Sequence, residues 1–292
     1  MLVNIKSLVM RRVQKLIFVA FLLLANSFNS AQSIQSEFSH IEIIVDSASF
    51  EKLVANEFIW SELANCLYDT MLVSPLVLSY YLYGQSNFIH FNPNRGYFAT
   101  QKGTAYLIFQ TRRPGQGKLL EERWRKVATD SIVSYDFEGP GFTLTEIVYN
   151  HHDHLSKKQT NNLVPMLSSY SVETYREWGF GDSVEVSMEQ FLSQDSINKN
   201  KLFERIISID LVITQKELQD LIPVLQLAGY QKEKNKFIKS NEPTISYVVN
   251  DNLNISKVEK LTFSLTEDAG KKSFNFGTII LIINKKRAEF SF

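Results

Sequence analysis

The stretch SHIEIIVDSASFEKL, residues 39–53, decides the fold. In its first half β-branched residues alternate with polar ones, a pattern typical of a strand with one buried face. Ser47 and Ser49 then offer helix caps, and Phe50 and Leu53 follow at helical spacing. The sequence therefore predicts a strand that runs directly into an amphipathic helix.

A second copy of this pattern lies in the last third of the chain. There IISIDLVIT, residues 206–214, precedes a capping-box sequence, TQKE, and a further helical pattern. The two copies align without a gap, with Ile41 opposite Ile209 and Glu42 opposite Asp210. We interpret this match as an internal structural repeat.

Strand-like runs follow both copies. They lie near residues 66–73, 76–83 and 87–91 after the first copy, and near 244–249, 261–265 and 278–283 after the second. Another strand-then-helix candidate, GTAYLIFQ with LLEERWRKV, lies between the copies. The stretch 156–202 is polar and gives few structural signals, so we predict a connector there.

Repeated units of a strand, a helix and three more strands resemble the vicinal oxygen chelate superfamily, which includes glyoxalase I, extradiol dioxygenases and fosfomycin-resistance proteins. The resemblance rests on SHIEIIVDSASFEKL and on YLYGQSNFIHF. More narrowly, the chain resembles a bacterial glyoxalase-like family defined as a domain of unknown function. The resemblance implies an α+β fold of repeated βαβββ modules, whose curled mixed sheets surround a cavity. A module pair is expected over 38–155 and a C-terminal glyoxalase-like half over 203–292.

The resemblance also implies a divalent metal held by side chains from the first and last strands of paired modules. His40 matches the first ligand position, and His90 falls where the first module supplies its second ligand. Because side chains alternate along a strand, His40 shares a face with Glu42. Two imidazoles and one carboxylate suit Fe(II), and Mn(II), Ni(II) or Zn(II) are further candidates.

The third ligand is harder to place. The strand near 104–110 offers only Gln110, whereas FTLTEIVYNHHDH offers Glu146, with His151 behind it. Glu146 is the predicted third ligand. The HHDH run is either a metal site or an exposed polar turn, and its two adjacent histidines favour the turn. In the second copy Ser208 occupies the His40 position, so no metal is expected there.

The N-terminal residues predict a secretory signal over 1–31. A positive stretch precedes ten apolar residues, 16–25, and a polar, small-residue segment follows. Ten residues are too few to span a bilayer, which needs about 20. Cleavage is expected after Ala31, with Ala25-Asn26-Ser27 as the alternative site, and an uncleaved membrane anchor is the competing interpretation. The expected location is secreted or periplasmic.

Composition excludes several classes of protein. Basic and acidic side chains number 31 each, and the leader holds four of the basic ones, so the remainder has no basic excess for nucleic acid. Cys66 is the sole cysteine, which excludes an internal disulfide, and its apolar surroundings favour a structural role. No P-loop, GxSxG, HExxH or CxxC motif is present.

The sequence thus predicts an exported glyoxalase-like protein that binds a small molecule in a sheet-lined cavity. As an enzyme it would be a metal-dependent lyase, isomerase or dioxygenase, with Glu42 or Glu146 moving a proton. The alternative is a non-catalytic binding or interaction module with a degenerate metal site, because one fold hosts both. A structural protein of the envelope is a third reading.

Overall fold

The computed structural model describes residues 34–71, 77–95, 103–128, 130–139, 141–150, 163–181, 184–193, 200–252 and 256–292. The predicted leader and the HHDH sequence lie outside these residues. The described chain is a mixed α+β fold with two large mixed sheets and few helices. None of the helices in these ranges is long and apolar enough to cross a membrane.

The first sheet consists of two sets of four strands that meet at its centre. Its strands are β1 (Ser36–Val45), β2 (Asn65–Met71), β3 (Val77–Tyr83), β4 (Phe88–Pro93), β5 (Ala105–Thr111), β6 (Ile132–Gly139), β7 (Phe142–Tyr149) and β8 (Leu163–Tyr170). Their order is β2-β3-β4-β1-β5-β8-β7-β6. β1 is parallel to β4 and β5 is parallel to β8, whereas β1 and β5 are antiparallel. Read outward from the centre, both sets have the same order.

Helices supply the crossovers that these parallel pairs require. α1 (Ser47–Val54) follows β1, and α2 (Gly117–Val127) follows β5. Asp46 caps α1, because its Oδ1 accepts a hydrogen bond of 2.9 Å from the backbone N–H of Ser49. The cap is therefore Asp46 and not one of the serines that the sequence offers. A π-helical turn (Ile59–Leu63) leads into β2.

The second sheet repeats the strand order of the first. Its strands are β9 (Phe203–Ile213), β10 (Gln231–Glu233), β11 (Lys236–Ile238), β12 (Thr244–Val249), β13 (Lys257–Leu265), β14 (Lys271–Asn275), β15 (Ile280–Asn284) and β16 (Arg287–Ser291). Their order is β10-β11-β12-β9-β13-β16-β15-β14. Residues 266–270 join β13 to β14 without a helix, and β13 pairs with β16 in the antiparallel sense. Because no crossover helix follows β13, β13 is antiparallel to β16, whereas the corresponding pairs in the other strand sets are parallel.

The stretch 156–202, which we predict to be a connector, contributes to the first sheet. It contains β8, and then α3 (Val172–Glu177) and α4 (Met188–Ser193). Pro165 lies inside β8, between β5 and β7, where proline is rare, and this explains why the sequence pattern missed the strand. The first sheet therefore extends to Tyr170, beyond residue 155. The region from 203 onward contains two strand sets, not one.

The two sheets share a core formed by their inner faces. The ring of Phe91 on β4 lies 5.6 Å from that of Phe290 on β16, and Phe109 on β5 lies 5.7 Å from Tyr230. The last helix, α5 (Gln215–Leu227), follows β9 with the predicted capping box at its start. Alternate residues of β1 and β9 face away from this core. These outward faces, one on each sheet, carry the side chains that do not pack in this core, and on the first sheet many of them form a second buried cluster.

Candidate functional site

The outward face of the first sheet, here called the first face, carries the candidate residues on β1 and β4. Strand register places Glu42 beside His90 and His40 beside Phe88. Tyr81 on β3 lies on the other side of His90. The two predicted histidines and Glu42 are therefore direct cross-strand neighbours on one face.

His40 is fixed at one ring nitrogen and along one ring face. Its Nδ1 lies 3.0 Å from the Oγ of Ser39, and its ring stacks on Phe88 with centroids 4.1 Å apart. Burial, with a smaller effect from His90, lowers the pKa of His40 well below its usual value. The imidazole is neutral at physiological pH, so its Nε2 can act as a ligand or acceptor.

His90 is held in a similar way and is more deeply buried. Its Nδ1 lies 3.6 Å from Oε2 of Glu42, and its ring stacks on Tyr81 at 4.2 Å. The residue is 8% exposed, and its Nε2 has no hydrogen-bond partner in the described part of the chain. Burial lowers the pKa of His90 to about 3, although a hydrogen bond with Asn92 opposes this effect. A buried, unpaired Nε2 is unusual and indicates a missing partner.

Glu42 is held by a short chain of hydrogen bonds. Asn92 Nδ2 donates to Oε1 of Glu42 at 2.5 Å, and Ser79 Oγ donates to Oδ1 of Asn92 at 3.0 Å. Burial raises the pKa of Glu42 to about 8, the charge of Glu146 adds to this, and the Asn92 bond opposes it. Such a fixed carboxyl group is suited to proton transfer near neutral pH.

Glu146 lies in the other half of the first sheet. The two halves, β1–β4 and β5–β8, are here called the arms of the sheet. On β7 it pairs with Tyr135 of β6 and Ser168 of β8. Burial raises the pKa of Glu146, and a hydrogen bond with Tyr135 opposes this. The charge of Glu146 also contributes to the raised pKa of Glu42, so the two carboxyl groups lie within range of a Coulomb interaction.

Between the arms the first face is apolar. A buried cluster forms this floor, with members from β1, β5, β7 and β8: Ile44, Tyr106, Ile108, Val148, Val164 and Met166. Gln110, the other ligand-like group suggested by the sequence, makes a hydrogen bond with Tyr175 at the edge of this floor. The first face thus combines an apolar floor with polar groups on both arms.

The predicted ligand set His40, His90 and Glu146 does not assemble as a metal-binding triad. No three His, Cys, Asp or Glu side chains among the described residues form such a group. The two imidazole centroids lie 6.4 Å apart, whereas Glu146 approaches from the opposite arm. The histidine pair has the donor chemistry for a metal, but a third protein ligand does not lie beside it in these ranges.

Sequence reasoning missed several side chains that support this site. Ser79 and Asn92 hold Glu42, and Tyr135 holds Glu146. Alternation along NFIHFN places Asn92 on the same face as His90, and this signal was available. Ser79 and Tyr135 depend on the register between strands, which the sequence pattern does not give.

The matching family spans both sheets, over residues 38–292. The chain belongs to DUF5829, a family of unknown function. A hypothetical protein from Staphylococcus aureus has a similar fold, with a TM-score of 0.51 and 9% identity over 82% of this chain and 95% of that one. A Bacillus subtilis protein that bears the provisional name of a dioxygenase aligns with a TM-score of 0.26 and 12% identity, over 87% of this chain and 83% of that one. No curated protein has significant similarity to the chain.

In this DUF5829 chain the second sheet carries different groups at the equivalent positions. Ser208 and Asp210 replace His40 and Glu42, and by register Ser246 replaces His90. Lys260 lies beside Asp210 on β13, and its Nζ is 3.2 Å from Oε1 of Glu289. The charges of this second face are therefore paired with one another.

Proposed function

We propose that the first face binds a small molecule, and that the chain is an exported glyoxalase-like protein of the vicinal oxygen chelate superfamily. The modular part of this proposal is supported by strand order. Each of the first three sets of strands reads strand, helix, three strands, and the sets meet in pairs at the centre of a sheet. Paired modules around a curved face are the arrangement that the sequence resemblance implies.

One observation carries the functional part. Nδ1 of His40 is fixed by Ser39 and Nδ1 of His90 lies 3.6 Å from Oε2 of Glu42, while the buried Nε2 of His90 has no hydrogen-bond partner in the described chain. Histidines that bind metals are held in this way, with the second nitrogen oriented by a carboxylate, a carbonyl or water. The pair is therefore suited to a ligand that both Nε2 atoms contact.

We propose a divalent metal, Fe, Mn, Ni or Zn, as one such ligand, with Glu146 as the predicted third donor if the arms close. When bound, the metal would supply Lewis-acid polarisation of a substrate oxygen. The chain's own contribution is to hold the two imidazoles, to exclude water with the apolar floor and to move a proton at Oε2 of Glu42. Asn92 donates its hydrogen bond to Oε1, so Oε2 has no bond from Asn92 and its neighbour is Nδ1 of His90 at 3.6 Å.

Metal analysis of the protein, purified without chelator, tests this proposal. We expect near-stoichiometric metal in the parent and loss of that metal in the double variant His40→Ala/His90→Ala. The matched control is Ser208→Ala/Ser246→Ala, at the equivalent positions of the second sheet, and it should retain the metal. Circular dichroism of all three proteins verifies that they fold. Absence of metal in every protein, even after reconstitution with Fe(II), Mn(II), Ni(II) or Zn(II), would contradict the metal proposal.

A non-catalytic binding module is the second candidate function. It is favoured by the described ligand set, which stops at two histidines. In that case the first face would bind its ligand through hydrogen bonds and the apolar floor alone. Ligand binding that survives chelation, without turnover of any tested substrate, would distinguish this candidate from a metalloenzyme.

Export is a separate part of the proposal and rests on the N-terminal sequence. We expect the leader to be removed after Ala31, or at the Ala25-Asn26-Ser27 site, which leaves a protein outside the cytoplasm. N-terminal sequencing of the protein from cell fractions tests this, and an intact N-terminus in the cytoplasmic fraction would contradict it.

A further inference from the structure

The two sheets end in four edge strands, and three of these are protected against the addition of another strand. β6 exposes Asp136 and Glu138, β10 is only three residues long and exposes Lys232, and β14 begins with Lys271 and Lys272. Charged side chains and short edge strands oppose further pairing, because pairing would desolvate the charges or gain few hydrogen bonds. These three edges therefore have the features of edges that stay unpaired.

The fourth edge strand, β2, lacks such protection. Its seven residues pair with β3 without a register shift, and they include one charged residue, Asp69, and no lysine or proline. Leu67 is 46% exposed and Tyr68 is 41% exposed, so a large apolar side chain stands on each face of the strand. No described strand pairs with the outer edge of β2. A regular, apolar edge of this kind is a template for another strand.

Strand register shows which backbone groups of β2 point to the outer edge. The N–H of Gly84 donates to the carbonyl of Asn87, so the even-numbered residues of β3 bond to β4 and the odd-numbered ones bond to β2. The backbone groups of β2 that turn outward are therefore those of Cys66, Tyr68 and Thr70. In agreement, the N–H of Thr70 donates to Oδ1 of Asp69, at 2.7 Å. The outer edge thus offers backbone donors and acceptors to a partner strand.

The two ends of β2 carry opposite charges. Lys201 stands just before the start of the strand, where its Nζ donates to backbone carbonyl oxygens, that of Trp60 at 2.9 Å among them. The nearby Glu62 is paired with Lys272, also at 2.9 Å. Asp69 lies toward the other end of β2. An antiparallel partner strand brings the Asp69 end of one copy to the Lys201 end of the other, so β2 is complementary in charge to a second copy of itself.

From this edge we infer that β2 pairs in the antiparallel sense with β2 of a second copy of the chain, about a two-fold axis through Leu67. Leu67 then faces the partner's Leu67, Asn65 faces the partner's Asp69, and the outward backbone groups of Cys66 and Tyr68 exchange hydrogen bonds. An axis through Tyr68 would set Asp69 against the partner's Leu67, and an axis through Asp69 would oppose two carboxylates.

The paired strands join the first sheets of two copies into one continuous sheet. The side chains that form this contact lie outside the proposed metal site, so the inference goes beyond the proposed function and does not depend on it.

Sedimentation velocity of the purified protein, over about 1 to 200 µM, tests the pairing. We expect a reversible monomer–dimer equilibrium with a Kd on the order of 10 µM, because a single pair of strands is a small interface. Leu67→Lys sets two ammonium groups opposite each other and should raise the Kd by at least about tenfold. The matched control is Ile282→Lys, since Ile282 is 45% exposed on β15, an inner strand of the second sheet, and it should dimerise as the parent does.

Cysteine cross-linking tests the register. Residues that face each other in a non-hydrogen-bonded antiparallel pair have Cα atoms about 4.5 Å apart, within the range that a disulfide spans. Mild oxidation with copper phenanthroline should therefore join two copies of Leu67→Cys, as seen on a gel without reductant. Asp69→Cys should stay unlinked, because the partner's Asn65 faces that position. The parent, with Cys66 facing the partner's Tyr68, is the blank.

Each unexpected result overturns a stated part of the inference. A parent that stays monomeric over the whole concentration range would overturn self-pairing and leave the edge to another partner, such as an extended peptide. A dimer that Leu67→Lys does not weaken, while circular dichroism shows that the variant folds, would overturn the assignment to β2. Cross-linking of Asp69→Cys without that of Leu67→Cys would overturn the axis through Leu67. The metal analysis reads a different part of the chain, so the inference and the proposed function fail separately.

Discussion

The two sheets of this protein have one strand order and two different outward faces. On the first, His40, Glu42 and His90 are neighbours. At the equivalent positions of the second lie Ser208, Asp210 and Ser246, with Lys260 beside Asp210. The strand order is therefore common to both sheets. Their side chains differ, and the first face is the one with a buried imidazole nitrogen that has no hydrogen-bond partner in the described chain.

The faces also differ in how their polar groups are satisfied. On the second face, burial raises the pKa of Asp210, while Lys260 and a hydrogen bond with Ser246 oppose this. On the first face, two partly buried carboxyl groups and an unpaired, buried imidazole nitrogen are present, and no lysine is among the causes that shift the pKa of either carboxyl. Unpaired buried groups destabilise a fold, so their retention on one face points to function there.

The largest expected effect concerns the core that the two sheets share. Phe109 is fully buried, and its ring lies 5.7 Å from both Phe38 and Tyr230. Phe109→Ala should lower the free energy of unfolding by about 3–5 kcal/mol, because it leaves a cavity between the sheets. Urea denaturation followed by fluorescence measures this. Ile282→Ala, at an outward position that is 45% exposed, is the control and should change stability by less than about 0.5 kcal/mol.

If the sheets behaved as separate domains, the urea curve of Phe109→Ala would show two transitions. We expect one, shifted transition. Two transitions would mean that the two sheets unfold independently and do not form one cooperative unit.

A pH-dependent contact between the sheets is expected to have the next largest effect. Glu242, 11% exposed in its side chain, accepts a 3.1 Å hydrogen bond from the backbone N–H of Phe38 on β1 and lies 3.5 Å from Lys239. Burial raises the pKa of Glu242 to about 7, with Lys239 and the Phe38 bond opposing. Because the folded pKa is above the ordinary value of 4.5, this contribution to stability is present below about pH 4.5 and is lost as the pH rises through about 7.

Between pH 4.5 and 8 the parent should therefore lose about 2–3 kcal/mol that Glu242→Gln does not lose. The measurement is urea denaturation at several pH values, and the relevant quantity is the difference between the two proteins. Glu51→Gln, at an exposed carboxyl, is the control and should follow the parent. Identical pH profiles for the parent and Glu242→Gln would exclude Glu242 as the titrating contact.

A smaller effect is expected at a hydrogen bond between the sheets. Oδ1 of the buried Asn87 accepts a 2.7 Å hydrogen bond from the backbone N–H of Ile206 on β9. Asn87→Ala leaves that buried donor unpaired and should cost about 1–3 kcal/mol. Asn275→Ala removes the same kind of bond, from the N–H of Gly277, in an exposed turn, and should cost less than about 1 kcal/mol. Equal losses of unfolding free energy in the two variants would mean that the hydrogen bond between the sheets stabilises the fold no more than a bond in an exposed turn.

The smallest effect should come from the second face. Asp210→Asn keeps the shape of a partly exposed side chain and should change stability by less than about 0.5 kcal/mol and ligand binding not at all. Glu42→Gln, at the equivalent position of the first face, should instead abolish any turnover while metal stays bound. Parallel assays of metal content and activity measure both variants. A loss of metal binding in Asp210→Asn would mean that the second face, and not the first, carries the binding site.

The sequence predicted the repeat more successfully than the site. The gapless match of Ile41 with Ile209 anticipated two strand-and-helix units, and the structure places β1 and β9 at equivalent positions of their sheets. It missed β8 because Pro165 and the polar surroundings mimic a connector. It also missed the second strand set of the C-terminal sheet, because no helix follows β13 to mark it.

For the site, local alternation was enough to group His40 with Glu42 and His90 with Asn92. Which strands lie side by side was not available from alternation, so Ser79 and Tyr135 were not expected to hold Glu42 and Glu146. The same limit affected the third ligand. Glu146 lies on β7 in the other half of the sheet, and its position relative to the histidines depends on the order of all eight strands and not on any one strand.

We propose that the first face, and not the second, is the functional one. A crystal structure of the protein grown with Co(II), with anomalous data at the cobalt edge, tests it most directly. We expect one strong peak within about 2.0–2.2 Å of Nε2 of both His40 and His90. A peak on the second face beside Asp210, or no peak at the two histidines, would contradict it.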